Sequence, residues 1–279
     1  MGHPIVKGQA MSDVILQQEP IIRLSVFLGM LAVMALWELA APRRRNDIPR
    51  LIRWSNNFAL VAVDTLIVRL VFPVLAVGLA LTAYAQSWGL LGLVGLPFWA
   101  EVLLAFLILD LTIYLQHMMF HHVPVLWRLH RMHHSDTDFD LSTGLRFHPL
   151  EIIASMAIKL VAVAVIGAPA LAVLLFEVVL NGTAIFNHGN VRLPLWLDRV
   201  LRLVMVTPDM HRVHHSVYPS ETNSNFGFNL PWWDRLFGTY VAQPRDGHEG
   251  MKIGIERFRD RREQWLDRLL LQPFRGRND

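Results

Sequence analysis

The chain has 279 residues, 53% of them hydrophobic and only 18% charged, a balance unlike that of a soluble globule. Its net charge is +3, and the basic residues bunch beside apolar segments, which fits a membrane surface and not nucleic acid. The absence of cysteine excludes disulfides, thiolate metal ligands, Cys-held iron–sulfur clusters and cysteine nucleophiles, so any metal here rests on nitrogen and oxygen.

A helix needs ~20 apolar residues to cross ~30 Å of hydrocarbon. On that measure residues 21–41 form a first span, 57–84 a longer and tilted one, and 98–116 a third. From 150 to 186 two apolar stretches meet at Gly167-Ala168-Pro169. They make either two short spans or a re-entrant hairpin, and a hairpin of two spans is the expectation. Arg43, Arg44, Arg45, Arg50 and Arg53 follow the first span and should stay cytoplasmic, with the N-terminus outside. No basic segment precedes that span and no small-residue cleavage site follows it, so it reads as an anchor and not a removable signal.

The hexapeptide His130-Arg131-Met132-His133-His134-Ser135 recurs as His211-Arg212-Val213-His214-His215-Ser216. On a helix, positions i, i+3 and i+4 share a face, so each copy can converge three imidazoles on one point. His117 and His121, four apart at the end of the third span, add a third group. Such clusters mark metal centres. Eight imidazoles exceed what one ion takes, so two ions are implied, and imidazole suits zinc, copper, iron and nickel alike. Span counting from the arginine cluster puts all three groups on the cytoplasmic side, where a dinuclear centre can receive a lipid from the bilayer.

Asp110, Tyr114, His117 and His121, then Leu126-Trp127-Arg128-Leu129 running into the first hexapeptide, then Thr143-Gly144-Leu145-Arg146-Phe147-His148-Pro149-Leu150-Glu151, resemble the fatty acid hydroxylase and sterol desaturase superfamily. Asn187-His188, the second hexapeptide, Asn225-Phe226-Gly227 and Trp233-Asp234-Arg235-Leu236-Phe237-Gly238-Thr239 are similar to its closing motifs. The resemblance covers roughly residues 100–240. It implies an all-α integral membrane protein of four to five transmembrane or hairpin helices, with a cytosolic helical cap over a His-rich dimetal site. It also implies two iron ions, with zinc an alternative in the isolated protein, and O2 as co-substrate for hydroxylation or desaturation of a lipid C–H bond. The implied ligands are His117, His121, His130, His133, His134, His211, His214 and His215, with His188 a ninth. Some relatives place another histidine four residues before His188, where this chain has Ala184, a departure that bears on the ligand count at one iron.

Metal-bound imidazoles donate their other N–H to a carboxylate, amide or carbonyl. Asp110, two turns before His117, together with Glu177 and Asn187, are the expected partners. Asp64 and Arg69 read as a structural ion pair within the second span. His122 points ~100° away from His121 and His148 belongs to a turn in which Arg146 and Glu151 pair charges, so neither joins the ligand set. His3 and His248 sit in polar segments and are read as uninvolved.

Each turnover needs two electrons, and the chain shows no dinucleotide fingerprint. A separate donor is expected: a cytochrome b5-like protein, a ferredoxin or a reductase. The lipid class stays open among sterols, fatty acyl chains, ceramides, alkylglycerols and carotenoids. The domain reading is a membrane anchor over 1–97, a catalytic unit over 98–245 and a basic amphipathic tail over 246–279. Within that tail, Glu256 to Arg277 reads as an interfacial helix or as a helix packed on the cap. The expected location is a bacterial inner membrane. The competing reading is a membrane dizinc hydrolase or isomerase, which would need neither oxygen nor reductant.

Overall fold

The computed structural model describes residues 7–276; His3 and Arg277 lie outside them. Among the described residues the fold is helical, with no strand beyond two isolated bridges. A short α1 (Lys7–Gln17) precedes α2 (Glu19–Ala40), and α3 (Arg50–Val71) is followed by α4 (Ala76–Ala85). The second expected span is thus broken at residues 72–75, where Pro73 can supply no backbone N–H. Next come α5 (Phe98–His122) and α6 (Pro124–His134), separated only by Val123. The third span therefore continues six residues past its expected end, which brings His117 and His121 onto the helix itself.

The 150–186 region is the expected hairpin of two helices, α7 (Pro149–Ile166) and α8 (Ala170–Asn187). Gly167 ends α7 in the left-handed conformation at φ 68°, and Pro169 opens α8, a stop and a start that suit those residues. A side chain at Gly167 would also strike the carbonyl of Trp88, so the hairpin tip packs backbone to backbone on the 88–89 loop.

Among the described residues five helical segments are long and apolar enough to cross a membrane, counting α3 and α4 as one; the chain is a multi-pass membrane protein. Their outer faces carry exposed Leu28, Leu36, Leu66, Leu70, Val161 and Val165, side chains that lipid solvates and water would not. α8 is the axle of the bundle: 67% of its apolar window is buried, against 6–28% in the other four. Around it Ala76, Ala80, Ala105 and Ala172 are buried at helix crossings, where small residues let backbones approach.

The cap is built from α6, the loops on either side of α7 and α8, and short helices α9 (Leu195–Leu201), α10 (Pro208–His214), α11 (Pro219–Thr222), α12 (Trp232–Leu236), α13 (Gly247–Gly250) and α14 (Leu266–Leu271). It is fastened to the membrane helices by buried charge. Arg53 of α3 donates to both oxygens of Asp136, at 3.1 and 2.7 Å, to Thr143 at 3.0 Å and to Asp140. Glu38 near the end of α2 accepts the backbone N–H groups of Leu141 and Asn190, each at 2.7 Å. Arg43 and Arg44 also reach the cap, at Asp209 and at the carbonyls of His248 and Met251. Three of the five arginines after the first span, Arg43, Arg44 and Arg53, are thus cap anchors.

Residues 256–276 do not form one helix. They fold as two single 3-10 turns around α14, and Gln264, Leu269 and Gln272 are buried against the cap. The reason is polar: Gln264 accepts from Arg146, and Gln272 accepts from Ser135 at 2.7 Å, bonds that a regular surface helix could not make.

Candidate metal centre

All nine sequence-derived histidines come together, and every one is buried. They divide into two groups: His117, His121, His130, His134 and His214 in one, and His133, His188, His211 and His215 in the other, with one ring nitrogen from each residue lying within 4.8 Å of the rest of its group. The hexapeptides therefore do not each converge on a single point. Each keeps its i, i+4 pair together, His130 with His134 and His211 with His215, and sends the remaining histidine across to the other group. Adjacent helical residues diverge by ~100°, so His133 and His134, or His214 and His215, cannot aim at the same ion. The groups adjoin: the His134 and His215 rings stack 4.6 Å apart.

The helix starts that hold these rings are set locally. Pro124 opens α6, and α10 begins with Thr207, whose hydroxyl accepts from Met210 N–H at 3.3 Å, followed by Pro208, a capping residue and a first-turn proline. His188 caps the C-terminus of α8. Its i−4 neighbour, the place a paired histidine would take, is Ala184, which leaves the second group with four imidazoles against five.

The outer ring nitrogens fix the tautomers. Nδ1 of His117 donates to the Phe226 carbonyl at 2.8 Å, that of His133 to Arg146 at 3.1 Å, that of His188 to Ala184 at 2.8 Å and that of His214 to Ser224 at 2.7 Å. His121 donates to Asn223 Oδ1 at 3.2 Å, and His130 to Glu151 Oε1 at 2.6 Å. A carbonyl or carboxylate oxygen can only accept, so in the neutral form of all six Nε2 carries a lone pair and no proton. Those lone pairs turn inward. Nε2 of His121, His134, His214 and His215 has no hydrogen-bond partner despite burial. Nε2 atoms face one another at 3.1 Å (His117, His130), 3.3 Å (His133, His188) and 3.0 Å (His188, His211).

Unprotonated nitrogens that close repel, and a cation between them reverses the sign. Ligand nitrogens on one ion, with bonds of ~2.1 Å at angles of ~90–105°, lie ~3.0–3.3 Å apart. Electrostatics agrees: burial first, and the neighbouring imidazoles second, hold His133, His134, His211 and His215 well below the ordinary histidine value. His188 is pushed down to about 4 and His214 to about 3, burial being the largest cause in each. At neutral pH these six rings are uncharged, the form a metal requires. The two groups fit metal sites.

The carboxylate that touches the centre is Glu151, and it is not one of the three residues expected from sequence. Asp110 accepts instead from Trp233 Nε1 at 2.8 Å; seven residues along a helix is ~10 Å, too far to reach His117. Glu177 pairs with Arg23 and Lys159, each at 2.6 Å. Asn187 donates to the Phe228 carbonyl at 3.1 Å and so acts on the site only through the Phe228 ring, 5.0 Å from that of His117. Glu151 and Arg146 do not pair in a turn; Arg146 donates to Ser135, Gln264 and the Met132 carbonyl while its own carbonyl serves His133. Asp64 and Arg69 form no ion pair with each other. His148 caps α7 and bonds Leu270, and His122 is exposed, in keeping with their exclusion from the ligand set. His248 is buried 3.7 Å from Asp209, outside both imidazole groups.

The motifs near the chain's end gain a role here. Asp234 accepts from Phe226 N–H at 2.8 Å, Gly227 N–H at 2.9 Å and Thr239 at 2.7 Å, and Thr239 meets Tyr114 at 2.8 Å. This clamp presents the Phe226 and Ser224 carbonyls to His117 and His214. A cavity of about 510 Å³ opens from His117 and His130 down between α3, α5, α7 and α8, within the range of small-molecule sites.

A helical membrane bundle capped by two adjoining clusters of buried imidazoles defines a membrane protein with two candidate metal sites. Residues 102–239 match the family model described as Fatty acid hydroxylase and form a domain of that family. It is 28% identical over 238 residues to ornithine lipid hydroxylase OlsE of Rhizobium tropici, covering 79% of this chain and 67% of that protein. Human alkylglycerol monooxygenase is 31% identical over 188 residues, 64% of this chain and 39% of the relative. Rat cholesterol 25-hydroxylase is 29% identical over 147 residues, 52% of this chain and 48% of the relative. The chain thus spans less than half the length of the last two. No solved structure matches. The relatives named are lipid hydroxylases and monooxygenases.

Proposed function

We propose that this chain is an O2-dependent di-iron oxygenase that hydroxylates or desaturates a C–H bond of a membrane lipid, with its site on the cytoplasmic face. The observation that carries the reading is the pair of adjoining buried imidazole groups, one of which meets a cavity between membrane helices at His117 and His130. Two iron ions, when bound, supply the O2 activation that an unactivated C–H bond requires.

The protein's part is to hold and orient. Five imidazoles would bind one ion and four the other, with the carbonyls of Phe226, Arg146, Ala184 and Ser224 and the Glu151 carboxylate fixing ring orientation. Burial keeps His133, His134, His188, His211, His214 and His215 neutral, and the apolar walls around the site exclude bulk water from the reacting bond. The cavity, lined also by Ala184 and Gly144, meets the site at His117 and His130, so the five-histidine group is the one that faces the side from which a lipid would enter. Hydroxylation consumes O2, two electrons and two protons and releases one water; desaturation releases two waters. The electrons come from a separate cytochrome b5-like, ferredoxin or reductase partner at the cap surface.

The test is to express the protein in a bacterial membrane under 18O2 and compare lipid masses with and without it. A lipid gaining one 18O atom, or losing two hydrogens, supports the reading. Lipid cleavage or isomerisation that proceeds without oxygen would replace it with the dizinc alternative.

A further inference from the structure

The cavity below the metal centre is not lined as a slot for a bare hydrocarbon chain. Three of its wall residues carry buried acceptor oxygens with no hydrogen-bond partner: Asp64 Oδ1 on α3, Gln116 Oε1 on α5 and Glu151 Oε2 on α7. Asp64 is only 8% exposed and Glu151 5%. The other polar atoms of two of these side chains are already used, since Gln116 Nε2 donates to Ser155 at 2.9 Å and Glu151 Oε1 accepts from His130. What remains is three acceptors and no donor aimed at them, and buried acceptors left unpaired are costly. The cations in the wall do not answer this need: Arg23 and Lys159 each pair with Glu177, and Arg69, which also lines the cavity, bonds none of the three oxygens. The cavity as folded therefore asks for donors.

We infer that the cavity binds the polar head of a lipid bearing hydroxyl or N–H groups, which donate to Asp64, Gln116 and Glu151, so that the head and not the tail terminus faces His117 and His130. This rests on the lipid-oxygenase reading for its substrate and deepens it by naming the class: a lipid with a donor-bearing head, as opposed to a sterol ester, alkane or fatty ester. Because Glu151 is itself bonded to His130, a donor on its free oxygen stands one residue from the five-histidine group. The carbon offered for oxidation then lies close to the head.

The experiment uses metal-free protein in detergent and measures binding, so it does not depend on turnover. Dissociation constants of 1-monooleoylglycerol and methyl oleate, which share the same acyl chain but differ in head-group donors, are compared by native mass spectrometry. Monooleoylglycerol is expected to bind at least ten-fold more tightly, about the effect of one well-made buried hydrogen bond. Asp64→Leu and Gln116→Leu should each reduce that preference several-fold while leaving methyl oleate binding unchanged, with thermal melts reporting that the variants fold. Equal binding of both lipids to the wild-type chain would overturn the inference, leaving water to satisfy the acceptors. The preference can hold even if the metal proves to be zinc, and can fail even if lipids are oxidised, so the two readings fail separately.

Discussion

Glu151→Ala should loosen one metal ion and spare the other. Glu151 Oε1 accepts from His130 Nδ1 at 2.6 Å in a buried site, a short carboxylate bond of the strong class. Removing such an outer partner typically costs 10–100-fold in metal affinity, or about 1.4–2.7 kcal/mol at 1.36 kcal/mol per decade. The loss falls on the five-histidine group alone, because no histidine of the other group touches Glu151; His133 and His188 lean on the Arg146 and Ala184 carbonyls. Stepwise chelator titration with elemental analysis of the retained metal should show two release steps in the parent protein. In the variant only one step moves, toward weaker binding. Glu151→Gln keeps an acceptor oxygen but loses the charge, so its loss should sit near the lower end. Equal weakening of both ions with an unchanged melt, or no weakening of either, would refute the assignment.

Three further outcomes follow from the packing. Gly144→Ala places a Cβ 2.5 Å from the Ala184 carbonyl and 3.0 Å from His188 Nδ1; it should cost about 1–3 kcal/mol as overpacking and weaken the four-histidine ion first, the opposite selectivity to Glu151→Ala in the same titration. Arg53→Met strips the cation from buried Asp136 and Asp140 and should destabilise by about 3–5 kcal/mol, read as a lowered melting midpoint in detergent. Burial alone would raise Asp136, but Arg53 and Arg146 overcome it and hold the carboxylate below its ordinary value. Its contribution is therefore full above the unfolded value near 3.8 and is lost as pH falls below it. Acid unfolding of the Asp136→Asn variant should accordingly be shallower than that of the parent below about pH 4.

The histidines were legible because metal chemistry imposes spacing: i, i+4 pairs survive as pairs in every helix that carries them. Which group each histidine joins was not legible, since the choice depends on how α6 and α10 face each other across the bundle. The hairpin at Gly167 and Pro169 was written in residues with local meaning. Glu151 was hidden for the opposite reason, its partner His130 lying on another helix, and four of the six fixed Nδ1 atoms rest on backbone carbonyls that no side chain announces. Arg53, read as a topology marker, turned out to hold the cap, and so does Glu38, both by contacts more than 80 residues apart. The tail's apolar periodicity was real but its glutamines decided its shape.

Purification from iron-supplemented cells without oxygen, followed by elemental analysis and Mössbauer spectra before and after O2, tests the central claim most directly. The account predicts about two irons per chain that oxidise on exposure to O2 and are reduced again by dithionite. Stoichiometric zinc, with no oxygen-reactive iron even after iron reconstitution, would contradict it.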